Sequence, residues 1–190
     1  MSDRGGRVSV MDENGFWDLI EAAHGDPGTY EEALTARLAG SPPERITAFG
    51  WWFDVVDAAA YRWDLWAAAY LVGGGCSDDS FMDFRAGVIA LGRDWYGRVL
   101  AAPDSLADHP EVAKGWDGGG EDLLFREEVR YAAARAYERR TGGDDFYEAD
   151  RRYAAARPAV SKTLVLGEDF DFDDDAEMRR RMPRLSALFL

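Results

Sequence analysis

Apolar residues recur every three to four positions through most of this chain, a helical period with polar residues between. Asp12 to Ala23 carries Phe16, Trp17, Leu19, Ile20 and Ala23 at that spacing, and His24-Gly25-Asp26-Pro27-Gly28 stops it. Thr29 to Glu32 reads as a capping box opening a second helix that ends near Gly40. Ser41-Pro42-Pro43-Glu44 reads as another box, with proline at the first helical position. The helix it opens carries Ile46, Phe49, Trp52, Phe53 and Val56. Tyr61 to Leu71 continues as helix after a kink. Its apolar residues lie nearly all round, which predicts a buried central helix. Gly73-Gly74-Gly75 ends it, and Ser77 caps the next helix, Asp78 to about Leu91, closed by Gly92.

Arg93 to Ala102 is a further helix before Pro103. Asp104 to Gly120 reads mostly as loop, with a turn of helix before Pro110. Glu121 to Arg140 reads as the longest clear helix, stopped by Gly142-Gly143, and Asp144 to Arg157 is weakly helical. Pro158 to Asp175 is the one extended-looking segment: Thr163-Leu164-Val165-Leu166, then Phe170 and Phe172 alternating with acids. A short helix, Ala176 to Arg181, leads to Pro183 and an apolar end. The pattern predicts an all-α, single-domain multi-helix bundle with a short, partly extended C-terminal arm. The expected division is a disordered leader at 1–10, a helical domain at 11–157, and an arm at 158–190 packing on it.

Composition narrows the function classes. The 190 residues are 47% hydrophobic, enough to bury a core. The net charge of −14 argues against nucleic-acid backbones and anionic membranes, both of which need a positive field. It suits a basic protein partner or a cationic ligand. One cysteine forms no internal disulfide, MSDRGGRVSV has no signal-peptide core, and no apolar run reaches the ~18 residues of a membrane span. A soluble, cytoplasmic protein is expected. Arginine outnumbers lysine 20 to 2, which reads as GC-rich bacterial coding bias.

Residues 51 to 100 hold five of the seven tryptophans, the only cysteine and the glycine triplet, so any site is expected there. At the Gly73–Asp79 turn, glycines permit positive φ and close approach, and Asp78 and Asp79 would welcome an amine or guanidinium. Capping alone also explains Ser77, Asp78 and Asp79. Trp63, Trp66 and Tyr70 share a helical face beside Asp64, whose carboxylate could bind a cation or act as a base, or simply pair with Arg62 or Arg85. Cys76 lacks a base placed beside it by the sequence. Its plainer role is a small residue at a tight corner. There is no CxxC, HExxH, GxxxxGK[ST] or GxSxG, so no metal or cofactor is expected. Glu168 to Asp175 opens like a calcium loop, but counting from Asp169 puts Asp174 at the glycine position and Arg180 at the glutamate position.

Phe16-Trp17, Tyr61-Arg62-Trp63-Asp64-Leu65-Trp66-Ala67-Ala68-Ala69-Tyr70, Gly74, Cys76-Ser77-Asp78-Asp79, Phe81, Phe84-Arg85 and Gly92 together resemble the bacterial family called domain of unknown function 4240. The resemblance spans about Met11 to Arg140. Asp171-Phe172 and Met182-Pro183-Arg184-Leu185 are similar as well. The resemblance implies a small cytoplasmic bacterial protein and carries over no catalytic residue.

Two functional expectations follow. The first is an accessory or interaction protein, monomeric or homodimeric, that binds a protein or peptide through an acidic, aromatic-rich surface. The second is a small enzyme or ligand-binding protein with a pocket between helices 61–71 and 78–91. There Trp63, Asp64, Trp66, Tyr70, Gly74, Ser77, Asp78 and Asp79 would hold a cationic or amine-bearing substrate, and Arg85 its carboxylate.

Overall fold

Side-chain caps set where several helices begin. In the computed structural model, which describes residues 11–157 and 166–190, Asp12 accepts the Gly15 amide and starts α1 (Glu13–Ala22). Thr29 and Glu32 form the expected reciprocal box at the start of α2 (Tyr30–Ala39). The second expected box does not form. Pro42 is the N-cap of α3 (Pro43–Ala59), without a side-chain bond, because a residue before proline is driven to extended backbone. The helix therefore starts one residue late and leaves Ser41 outside it.

The expected helix from Tyr61 begins instead at Trp63, as α4 (Trp63–Val72). Arg62 is extended, at φ −143° and ψ 147°, and the Trp63 amide donates to Leu166 O at 2.9 Å. A tertiary acceptor thus takes a backbone donor that a continuous helix would have paired internally. Nor is α4 buried all round. Leu65, Ala67, Ala68, Ala69, Leu71 and Val72 face the core, while Trp63, Trp66 and Tyr70 are half-buried. Ser77 caps α5 (Asp78–Ala90) through the Ser80 amide, and Gly92 at φ +93° turns the chain into α6 (Arg93–Ala101).

Two 3₁₀ turns, Pro103–Asp108 and Val112–Asp117, occupy the expected loop. The expected long helix is three pieces: α7 (Gly120–Leu124), α8 (Glu127–Arg130) and α9 (Ala132–Thr141). Phe125 and Arg126 leave helical geometry, and the Arg126 amide donates across to Asp83 O in α5 at 3.1 Å. The break lets the Leu124 backbone lie directly on Gly87, where any side chain would overlap it. Then follow α10 (Phe146–Ala155), α11 (Asp175–Arg181), capped by Asp174, and α12 (Pro183–Phe189).

Among the described residues there are twelve α-helices and no strand, in one helical domain. The leader at 1–10 and the Thr163–Val165 part of the extended segment lie outside the described residues. Phe16, Phe49, Phe81 and Phe84 sit at the centre of the core, with α9 against α2 and α3, and α5 against α7 and α8. Met178, Leu185 and Phe189 of the last two helices, and Met182 between them, are buried in the same core.

Candidate functional site

The contact between α4 and α5 is a stack of rings. Trp63 lies on Trp66 at 5.5 Å between centroids, and Trp66 on Phe81 at 4.7 Å, both pairs within 12° of parallel. Phe84 and Phe125 extend the cluster inward. The Trp66 indole donates to Cys76 O at 3.0 Å, which fixes the turn against α4. These rings pack at the contact of the two helices between which the sequence suggested a pocket, as flat side chains at matched heights stack.

The charged candidates have partners close by. Asp64 forms a two-pronged pair with Arg62, whose remaining nitrogen donates to Leu100 O at 2.7 Å. Arg85 is 5% exposed. It pairs with Asp57 of α3 at 2.7 Å and packs over both the Tyr61 and Phe81 rings. Burial pushes the Asp57 carboxyl up to about 6, against the opposing pull of Arg85. Burial likewise pushes the Cys76 thiol up to about 12, which leaves it protonated and poorly nucleophilic near neutral pH.

Gly74 at φ +60° and Gly75 at φ +128° carry the turn, and the Gly75 amide returns to Tyr70 O at 2.8 Å. Ser77, Asp78 and Asp79 are exposed at its far side, with the two aspartates in the first turn of α5. On the near side Tyr70 donates its hydroxyl to Asp173. That bond and the Asp171 charge hold the phenol above its ordinary ionisation. Phe172 packs between Trp63 and Tyr70.

The residue that sequence reasoning missed is Trp116, which at 57% exposure is among the most exposed large apolar side chains described. Its ring rests on Gly74, where an added Cβ would sit 3.0 Å from it, and meets the Phe189 edge at 5.1 Å and 90°. Gly115, at φ +60°, lets the backbone close on Leu188 O. A signal was present: an indole within Lys114-Gly115-Trp116-Asp117-Gly118, a glycine-bracketed loop with no helical period to bury it. Asp117, Glu121 and Asp122, which follow Trp116 within six residues, are exposed, as are Asp78 and Asp79 after the turn whose Gly74 meets the ring. Separately, Asp64 lines a cleft of about 540 Å³ with Arg62, Gly167, Glu168 and Arg181. Its walls are two ion pairs, Arg62–Asp64 and Arg181–Glu168.

The family model described as protein of unknown function (DUF4240) matches residues 11–139. No curated protein and no solved structure matches the chain. The model thus spans α1 to α9 apart from the last residues of α9, and includes the turn and Trp116, while α11 and α12 lie beyond it.

Proposed function

We propose that this chain, which belongs to the family of proteins of unknown function DUF4240, is a non-catalytic binding protein that captures a basic segment of a protein partner on the acid-rimmed aromatic face at the α4–α5 turn. The observation that carries this reading is Trp116, exposed where its ring meets Gly74 and Phe189, with the exposed Asp117 next to it in the chain. An exposed aromatic on a rigid seat loses little entropy on binding and gains apolar contact, while the surrounding acids steer a cationic partner. Supporting it over catalysis, Arg85 and Asp64 are engaged by neighbours and the Cys76 thiol is protonated.

Titration calorimetry with a twelve-residue peptide of mixed lysine and arginine tests the reading. Binding should weaken as salt rises, and the Asp78→Asn/Asp79→Asn double variant should bind about threefold more weakly, as expected for exposed charge pairs. Absence of binding at low salt, or salt-independent binding, would overturn it.

The cleft beside Asp64 favours a second reading, a small zwitterion held between its two ion pairs. Amino acids and short peptides that raise the melting temperature of the wild type and not of Asp64→Asn would support it. Equal stabilisation of both proteins would rule out that cleft.

A further inference from the structure

The arginines of this chain are used repeatedly in one way: a guanidinium lies over an aromatic ring while a carboxylate holds its edge. Arg85 does this over Tyr61 and Phe81 with Asp57 at 2.7 Å. Arg181 lies 4.2 Å above Phe170 with Glu177 at 2.5 Å and Glu168 at 3.1 Å. Arg126 covers Tyr30 with Glu31 at 3.5 Å, and Arg130 approaches Tyr131 with Asp83 at 3.0 Å. The unit is favourable because the planar, weakly hydrated guanidinium can satisfy a ring face and a carboxylate together, which a compact ammonium does less well.

Trp116 has the ring, with the exposed Asp117 beside it in the chain and the exposed Asp78 and Asp79 after the turn whose Gly74 it meets. Among the described residues no guanidinium lies over it, and its neighbour Lys114 is turned to Glu111 at 2.7 Å. Indole is also the strongest of the aromatic faces for a cation. We propose that Trp116 is the anchor for an arginine side chain of the partner, completing from outside the unit the chain builds internally, with Asp117 and the Asp78–Asp79 pair as the acids. This rests on the basic-segment reading above and adds that the segment is recognised by arginine in particular. The contacts with Gly74 and Phe189 hold the ring before a partner arrives, so selectivity falls on the ligand cation.

The test uses two peptides of equal length and charge, one with arginine and glycine, the other with lysine and glycine, titrated into the full chain at low salt. The arginine peptide should bind roughly fivefold tighter. In Trp116→Leu, checked for an unchanged melting temperature, that preference should vanish while residual binding of both peptides persists. If that variant does not fold, the wild-type indole N–H resonances replace it: the Trp116 signal should shift more with the arginine peptide than with the lysine peptide. Equal affinities in the wild type, a preference retained in Trp116→Leu, or a Trp116 signal that does not distinguish the peptides would overturn the arginine anchor and leave the basic-segment reading standing. If neither peptide binds, the basic-segment reading fails, and the anchor with it.

Discussion

Arg85 is a charged side chain buried in the core, at 5% exposure. Its guanidinium is enclosed by Tyr61, Phe81 and Asp57, and its Nε has no hydrogen-bond partner among the described residues. Removing Asp57 from water favours its neutral form, with Asp54 adding to this and Arg85 and Arg130 opposing it. The folded state therefore holds this proton more tightly than the unfolded chain does. The resulting stabilisation is full below about pH 4 and is lost as pH rises through about 6. The stability difference between wild type and Asp57→Asn should therefore move toward the variant between pH 4.5 and 7, by on the order of 2 kcal/mol. Urea unfolding at both pH values measures this. A difference that stays constant would mean that Arg85 keeps the carboxylate ionised throughout. The sequence made the Thr29 and Ser77 caps legible, because a cap is decided within three residues. It could not reveal the Asp57–Arg85 pair, since those residues lie 28 positions apart and meet only when α3 packs on α5.

At the scale of elements, glycine has opposite meanings in two helices. Gly87 in α5 is where the Leu124 backbone lies against the helix, and a methyl group there would overlap the Leu124 carbonyl. Gly97 in α6 is exposed with open space around it. Gly87→Ala should destabilise by about 2 kcal/mol or more through overpacking. Gly97→Ala should stabilise by about 0.5–1 kcal/mol through helix propensity. Thermal unfolding of the two variants checks both signs. The same contact explains the misread helix after Gly120. The apolar residues Leu123, Leu124, Phe125 and Val129 suit one long helix locally. The chain breaks because pairing the Arg126 amide with Asp83 O allows the close approach to Gly87. The start of α4 is set likewise, by Leu166 O taking the Trp63 amide from a segment about a hundred residues away.

For the whole molecule, the two C-terminal helices complete the core rather than decorate it. Leu185 is fully buried, Phe189 supports Trp116, and Arg184 and Leu185 donate their amides to Asp104 at the start of the 3₁₀ region. Leu185→Ala should cost about 2–5 kcal/mol. Because this residue belongs to the common core, loss should appear as one shifted unfolding transition by tryptophan fluorescence and by far-ultraviolet circular dichroism alike. Two separated transitions would instead make the arm an independent unit. The binding face has the same dependence: α12 supplies half the seat of a tryptophan that lies within the family-matched region.

The sequence by itself determined the helical class, the helix stops that glycine and proline mark, the Thr29 and Ser77 caps, the net negative charge and the family. Period, capping and charge are properties of neighbouring residues, readable without knowing what packs on what. Only the tertiary structure decided that α4 and α5 stack their rings, that Arg85 turns inward to Asp57, and that Trp116 stands exposed over Gly74. Each of those outcomes depends on residues distant in the chain competing for the same ring face, charge or backbone group, and that competition is resolved only when the helices meet.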